Sequence, residues 1–329
     1  MSNNKTMQTE LETKIEERIL ILGSTGRTGK EVLYNLISRI NKNKDTNTND
    51  NKIKSIKIIL IIRSLTKLNE TIKNNKNIEI IEKSLLEYTS EELGGILKKH
   101  SVTSIISCLG HDGVWNGIVG NPKWLILNTT KLVCNAIEYY QNNTTTTTTT
   151  NTNNNPTTQP NKTIKPIKYV LMTANGIDNL EFDGVRDMLE RNILWFVKCC
   201  VHSPVDNEQA ADYLYTHYRN INNNNTNNNT STTPTNTTNT TNTAIEWCVV
   251  RPGTLTTEEH ISKYEVCTSA KGKVLQEHGS VRIQNVAEFK CELILNSACW
   301  NEWVYKMPVI LDTVPVSVPV PELVPTPVL

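Results

Sequence analysis

Ile19-Leu20-Ile21-Leu22-Gly23-Ser24-Thr25-Gly26-Arg27-Thr28-Gly29-Lys30-Glu31-Val32-Leu33 decides the fold. A short apolar run passes into three glycines spaced three apart and then into a helical pattern, which reads as strand, tight turn, helix. Gly23 lets the chain leave the strand at a φ most residues avoid. Gly26 lets the backbone come close to a ligand, and Gly29 lets the helix pack tightly on the strand. With Ser24, Thr25, Arg27 and Thr28 completing the loop, the N–H groups at the helix start face an anion. The helix dipole adds roughly 0.3–1 kcal/mol of attraction. The usual occupant is the pyrophosphate of a dinucleotide. A P-loop does not fit, because five residues separate Gly23 from Gly29 where that motif has four, and Glu31 stands where it needs Ser or Thr. A glycine-rich turn without a ligand is the remaining alternative.

Composition narrows the frame. The chain has 329 residues, but Asn41–Asn51, Gln141–Thr163 and Asn222–Thr243 are Asn/Thr tracts with little apolar content. Such tracts cannot offset their own ordering entropy. Without them the chain has the size of one large α/β domain. Residues 1–17 read as a flexible polar arm, residues 18–313 as the domain, and residues 314–329 as an extended Pro/Val tail. The net charge of +1 gives no footprint for nucleic acid or a membrane surface. The start has no signal-peptide core, and no apolar run approaches the ~20 residues that cross a bilayer. Eight cysteines without a CxxC pair read as buried thiols in a reducing, cytoplasmic compartment, neither disulfides nor metal ligands.

Strand and helix patterns alternate, which implies a doubly wound, Rossmann-type parallel sheet with helices on both faces. Strands are expected at Arg18–Leu22, Ile56–Ile62, Ile78–Ile81, Ser104–Cys108, Tyr169–Met172 and Glu246–Val250. Helices are expected over about 28–40, 90–99, from Pro122 to Tyr140, 185–201 and 207–218. Past Arg251 the alternation weakens. Strands at Tyr264–Cys267 and Val281–Ile283 and a helix over Val286–Asn296, with Asn285 as its N-cap, read as a small C-terminal substrate-side lobe.

The end of the second strand bears on the cofactor. An Asp or Glu there would hold the ribose hydroxyls of NAD. This chain has Arg63 and Ser64 instead, with Lys67 close by. A guanidinium suits a 2′-phosphate, so NADP is expected over NAD. The fourth strand runs into Cys108-Leu109-Gly110-His111. Gly110 would let the backbone pass close to the cofactor, and His111 would sit near the nicotinamide and handle a proton; an exposed loop histidine is the alternative. Thr173, after the fifth strand, is placed to bond a substrate carbonyl or to serve as a simple turn hydroxyl. His202, Asp206 and Asn207 either rim the same cleft or cap the helix that follows, and Trp300 and Trp303 read as packing anchors.

The glycine loop, Arg63, Leu109-Gly110 and the run Glu246-Trp247-Cys248-Val249-Val250-Arg251-Pro252-Gly253 together resemble an atypical short-chain dehydrogenase/reductase, nearest the NmrA-like NAD(P)-binding group. The resemblance implies a Rossmann domain that binds NAD(P), with a small-molecule substrate or none. It departs from the superfamily at one point. Short-chain reductases carry a Tyr-x-x-x-Lys pair, whose lysine lowers the tyrosine's pKa. No tyrosine here has Lys four residues on; Tyr215 with Arg219 is nearest. Two classes follow: a reductase in which Thr173 and His111 manage the proton, or a non-catalytic redox-sensing NADP(H) binder.

Overall fold

A computed structural model describes residues 15–45, 53–111, 118–119, 122–145, 165–179, 181, 183–219, 244–258, 261–270 and 279–313. The C-terminal tail, the third Asn/Thr tract and most of the arm and of the other two tracts lie outside them.

The strands are β1 (Ile15–Leu22), β2 (Ile53–Ile62), β3 (Ile78–Glu82), β4 (Ser104–Ser107), β5 (Ile167–Met172), β6 (Ile245–Pro252), β7 (Thr254–Thr256), β8 (Tyr264–Cys267), β9 (Ser280–Arg282) and β10 (Val309–Asp312). The helices of at least one full turn are α1 (Arg27–Asp45), α2 (Glu70–Lys73), α3 (Ser90–Lys99), α4 (Leu125–Thr145), α5 (Met188–Cys200), α6 (His202–His217), α7 (Ile283–Leu295) and α8 (Ser297–Trp303).

Eight strands form one sheet in the order β3-β2-β1-β4-β5-β6-β10-β8. All neighbours pair in parallel except β8, which runs antiparallel to β10. The first six strands follow the doubly wound order, in which the direction of winding reverses between β1 and β4. Ligands bind beyond the carboxyl ends of the strands at that point. Alternate side chains separate the two cores. Ile19 and Ile21 of β1 pack with α1 and α7 on one face, while Leu20 and Leu22 pack with α3, α4 and α6 on the other.

Several element limits differ from the sequence-based expectation. β1 begins at Ile15 rather than Arg18, because Glu16 and Glu17 pair with β2 and the Glu17 carboxylate accepts from the Thr103 hydroxyl. α1 and α4 run on into the first residues of the first two Asn/Thr tracts. α4 starts at Leu125, not Pro122, since its first N–H groups are capped by a side chain from α6 rather than by a local residue. α6 starts at His202, ahead of the expected Asn207. Asn285 is no N-cap: it lies inside α7, fully buried, and bonds Ser262 and Asp312. The expected C-terminal lobe is mostly part of the main body. β8 extends the main sheet through the unanticipated β10, α7 packs on α1, and only β7 and β9 form a separate two-stranded sheet. Trp300 and Trp303 are buried anchors, as expected. Cys199 and Cys200 are not buried but exposed on α5. No helix among the described residues is long and apolar enough to cross a membrane.

Candidate functional site

The carboxyl ends of β1 and β4 open into a cleft of about 650 Å³. Its floor is the glycine loop. Gly23 has φ +76°, and a Cβ there would fall 2.8 Å from the Cys108 carbonyl oxygen. Only glycine permits the loop to cross β4 this closely. The Gly26 N–H donates to the Gly23 carbonyl at 3.0 Å, closing the turn that launches α1. A Cβ on Gly29 would lie 2.1 Å from the same carbonyl oxygen, so Gly29 is a packing glycine that seats α1 against β1. Gly23, Thr25, Gly26, Arg27 and Thr28 line the cleft. Ser24 and Gly29 do not: Ser24 is buried, and its hydroxyl has no partner among the described residues.

On the β2–β3 side the lining is cationic. Arg63, Lys67 and Lys83 join Arg27 there, and none of the described lining residues is Asp or Glu. Lys83, which was not singled out in the sequence, pairs with Glu92 at 3.2 Å and sits over the Tyr88 ring at 4.2 Å. Ser64 lies beside this end but outside the lining. Its hydroxyl caps the short turn Leu65–Lys67 by accepting from the Thr66 N–H. Glu82, at the end of β3, accepts from the Leu65 N–H at 2.8 Å.

Beyond β4 the cleft is lined by Cys108, Leu109, Gly110 and His111, with Leu125, Met172 and Leu255 adding apolar surface. His111 is not an exposed loop residue. Its side chain is 2% exposed, and Nε2 lies 3.3 Å from Asp206 Oδ2. A carboxylate only accepts, so Nε2 carries the proton in this contact. Nδ1 is buried and has no hydrogen-bond partner among the described residues. Asp206, itself fully buried, also accepts from the Ile126 and Leu127 N–H groups at 2.9 Å each. It therefore caps α4 and orients His111 together, a role assembled across the chain. His202 packs edge-on against Trp124, its ring centroid 6.4 Å from that of His111, and Ser203 reaches the cleft. Thr173 is buried outside the lining, with its hydroxyl directed at the Val250 carbonyl at 3.4 Å. No group of acids, histidines or cysteines suited to a metal occurs among the described residues.

No family model matches the chain, and no curated protein matches it. Solved structures do. The oxidoreductase ylbE from Lactococcus lactis superimposes with a TM-score of 0.51 at 16% identity, over 90% of this chain and 91% of that one. A short-chain dehydrogenase/reductase from Veillonella parvula, solved in complex with NADP, gives 0.50 at 12% identity, over 89% and 94%. An anaerobilin reductase from Escherichia coli O157:H7 gives 0.50 at 13% identity, over 94% and 100%. This chain has the Rossmann fold of NAD(P)-binding proteins.

Within this Rossmann frame the Arg251-Pro252-Gly253 run is a clamp. Arg251 is fully buried at the end of β6 and pairs bidentately with Asp183 at 2.6 and 3.0 Å. Its other donors reach the carbonyls of Met307, Ile177 and Thr268. Burial raises the Asp183 carboxyl, but Arg251 and the Ala270 and Asn179 N–H groups outweigh it, so Asp183 titrates below its ordinary value. Arg186 extends the network to Glu190, Asp178 and the Ala270 carbonyl. A Cβ on Gly253 would lie 2.2 Å from the Gly279 carbonyl oxygen, so that glycine lets β7 meet β9. None of Arg251, Pro252 and Gly253 lines the cleft.

Proposed function

We propose that the chain is an NADPH-dependent oxidoreductase acting on a small carbonyl or quinone-like substrate. The observation that carries this reading is the cleft's cationic lining, to which Arg27, Arg63, Lys67 and Lys83 all belong, with no Asp or Glu among the described lining residues. An NAD site would place a carboxylate there for the ribose hydroxyls; a 2′-phosphate instead needs cations. The glycine loop fits the pyrophosphate, since Gly26 presents no Cβ to the cleft and the first turn of α1 supplies N–H donors. When bound, the reduced nicotinamide supplies a hydride. His111 holds a proton on Nε2 against Asp206, and its Nδ1 is the ring atom left to exchange a proton with a substrate oxygen. Leu125, Met172 and Leu255 line the same cleft with apolar surface that would limit water at the reacting end. Thr173 serves in this reading as a support beneath the site. Eight free cysteines fit a reducing, cytoplasmic compartment.

A second reading rests on one specific observation: no Tyr-x-x-x-Lys pair exists anywhere in the sequence. In that reading the chain binds NADP(H) without turnover, as a redox-sensing regulator. Titration with NADPH and NADH tests the cofactor. Arg63→Ala should weaken NADPH by roughly ten- to a hundredfold, the worth of one charged hydrogen bond at roughly 1.5–3 kcal/mol, and leave NADH unchanged. Equal affinity of the unaltered protein for the two would overturn the NADP reading. NADPH consumption over a panel of aldehydes, ketones and quinones separates the two functions; tight binding with no turnover selects the regulator.

A further inference from the structure

The mechanism above leaves one pair of reactive side chains unused. Lys290 of α7 is fully buried, 0% exposed. Its Nζ donates to the Ser107 carbonyl at 2.9 Å and to Cys108 Sγ at 3.0 Å. Among the described residues no carboxylate lies within ion-pair distance of it. Buried lysines are ordinarily matched by an acid; this one is matched by a carbonyl and a sulfur. Cys108 meanwhile is one of the residues on the cleft wall, with 7% of its surface exposed. A cysteine on the cleft wall whose sulfur touches an amine has the geometry for an intramolecular link.

We propose that Cys108 and Lys290 form a modification site, in which a hydroperoxide drives a covalent sulfur–nitrogen bond between Sγ and Nζ. In the first step the sulfur attacks a peroxide oxygen. The O–O bond breaks, Cys108 becomes the sulfenic acid, and hydrogen peroxide is reduced to water. In the second, the Lys290 amine attacks the sulfenic sulfur; the S–N bond forms as the S–O bond breaks, and a second water leaves. The extra proton of the lysine ammonium passes to solvent. The net reaction consumes one peroxide, oxidises sulfur by two electrons and removes two hydrogen atoms from the protein. The link would staple α7 to the end of β4 under the cleft floor, and attack of a small thiol on the sulfur would reopen it.

Peptide mapping of the full-length chain tests this. The protein is treated with hydrogen peroxide, unfolded, alkylated at its remaining thiols and digested with trypsin. The expected product is lighter by two hydrogen atoms, about 2 Da. It joins the peptides holding Cys108 and Lys290, with trypsin unable to cleave after Lys290, and dithiothreitol reverses it. Cys291 and Cys299 lie on the same tryptic peptide and could mimic this result through a disulfide, but alkylation of both within the joined peptides excludes that. Lys290→Arg keeps the charge and should abolish the link, letting Cys108 proceed to the sulfinic acid. The inference is overturned if Cys108 oxidises with Lys290 still cleavable, if Cys108 does not oxidise, or if Cys291 or Cys299 in the joined peptides is unalkylated. None of these outcomes depends on which nucleotide the cleft binds.

Discussion

Asp206→Asn isolates the residue that joins the scaffold to the chemistry. The carboxylate accepts three hydrogen bonds, from Ile126 and Leu127 N–H and from His111 Nε2, in a fully buried position. An asparagine keeps the size but turns one oxygen into an N–H donor. If its carbonyl faces Leu127, the amide NH₂ meets the Ile126 N–H and the imidazole donor-to-donor. One buried N–H left unpaired costs roughly 1–3 kcal/mol. Loss of the negative charge at the α4 N-terminus adds up to about 2 kcal/mol in a buried setting. The sum is about 1–5 kcal/mol. At roughly 2–4 °C per kcal/mol for a domain of this class, Tm should fall by about 2–20 °C. Urea unfolding followed by tryptophan fluorescence measures the free-energy loss, with Trp124 beside the site as one reporter. NADPH affinity should be retained, because no cation of the β2–β3 end touches Asp206. A loss below about 0.5 kcal/mol, the range of an ordinary surface substitution, would refute the view that this carboxylate holds α4 and His111 together.

Two further outcomes follow from the geometry. Gly29→Ala drives a Cβ into the backbone at Gly23 and Ser24, which cannot swing aside, so it should cost about 1–3 kcal/mol and weaken nucleotide binding. Gly95→Ala, on the exposed face of α3 with nothing within 4 Å, should instead gain about 0.5–1 kcal/mol, and chemical denaturation of the two variants checks the contrast. Asp183 has a lowered pKa in the folded chain, so its stabilisation is fully present above the ordinary value of 3.8 and disappears as pH falls through the lower folded value. Asp183→Asn should therefore cost about 3–5 kcal/mol near neutral pH, with the deficit against the parent narrowing only below pH 3.8. A pH-independent deficit would show that the Arg251–Asp183 pair is not what holds this corner.

What could be read from the sequence was what is local. The passage from β1 through the glycine loop to α1 depends on neighbours within a dozen residues, so the glycine spacing and apolar run define it. The cationic end was half legible: Arg63 and Lys67 stand at the end of β2, whereas Lys83 joins them only because β3 lies beside β2. Asn285 was misread because an Asx residue ahead of a helical pattern has a cap's local signature, while its partners, Ser262 and Asp312, lie 23 and 27 positions away. β10 escaped notice since Val309-Ile310-Leu311 follows Pro308 and leads into a Val/Pro tail of similar composition. Cys199 and Cys200 were expected inside because α5 is apolar, but the helix turns Met188, Leu189, Trp195 and Phe196 outward, and composition does not say which face is covered.

In the proposed oxidoreductase, the residues most specific for the frame and those assigned to the chemistry are different residues. Arg251 has its side-chain donors turned to Asp183 and three carbonyls, and Gly253 is needed for a backbone crossing; both act on the scaffold and neither faces the cleft. A chain can keep such a clamp whatever substrate it meets. At the substrate end the cleft offers mainly Leu125, Met172 and Leu255, apolar groups that other apolar groups of similar volume could replace. In the proposed oxidoreductase, chemical direction there would come from His111 and Asp206, which are 95 positions apart and form no motif. With Nε2 engaged by the carboxylate, Nδ1 is the ring atom through which this end can act on a ligand. A His111→Gln change that abolished turnover while NADPH still bound would assign the proton to that atom; full turnover in the variant would leave the histidine as packing alone.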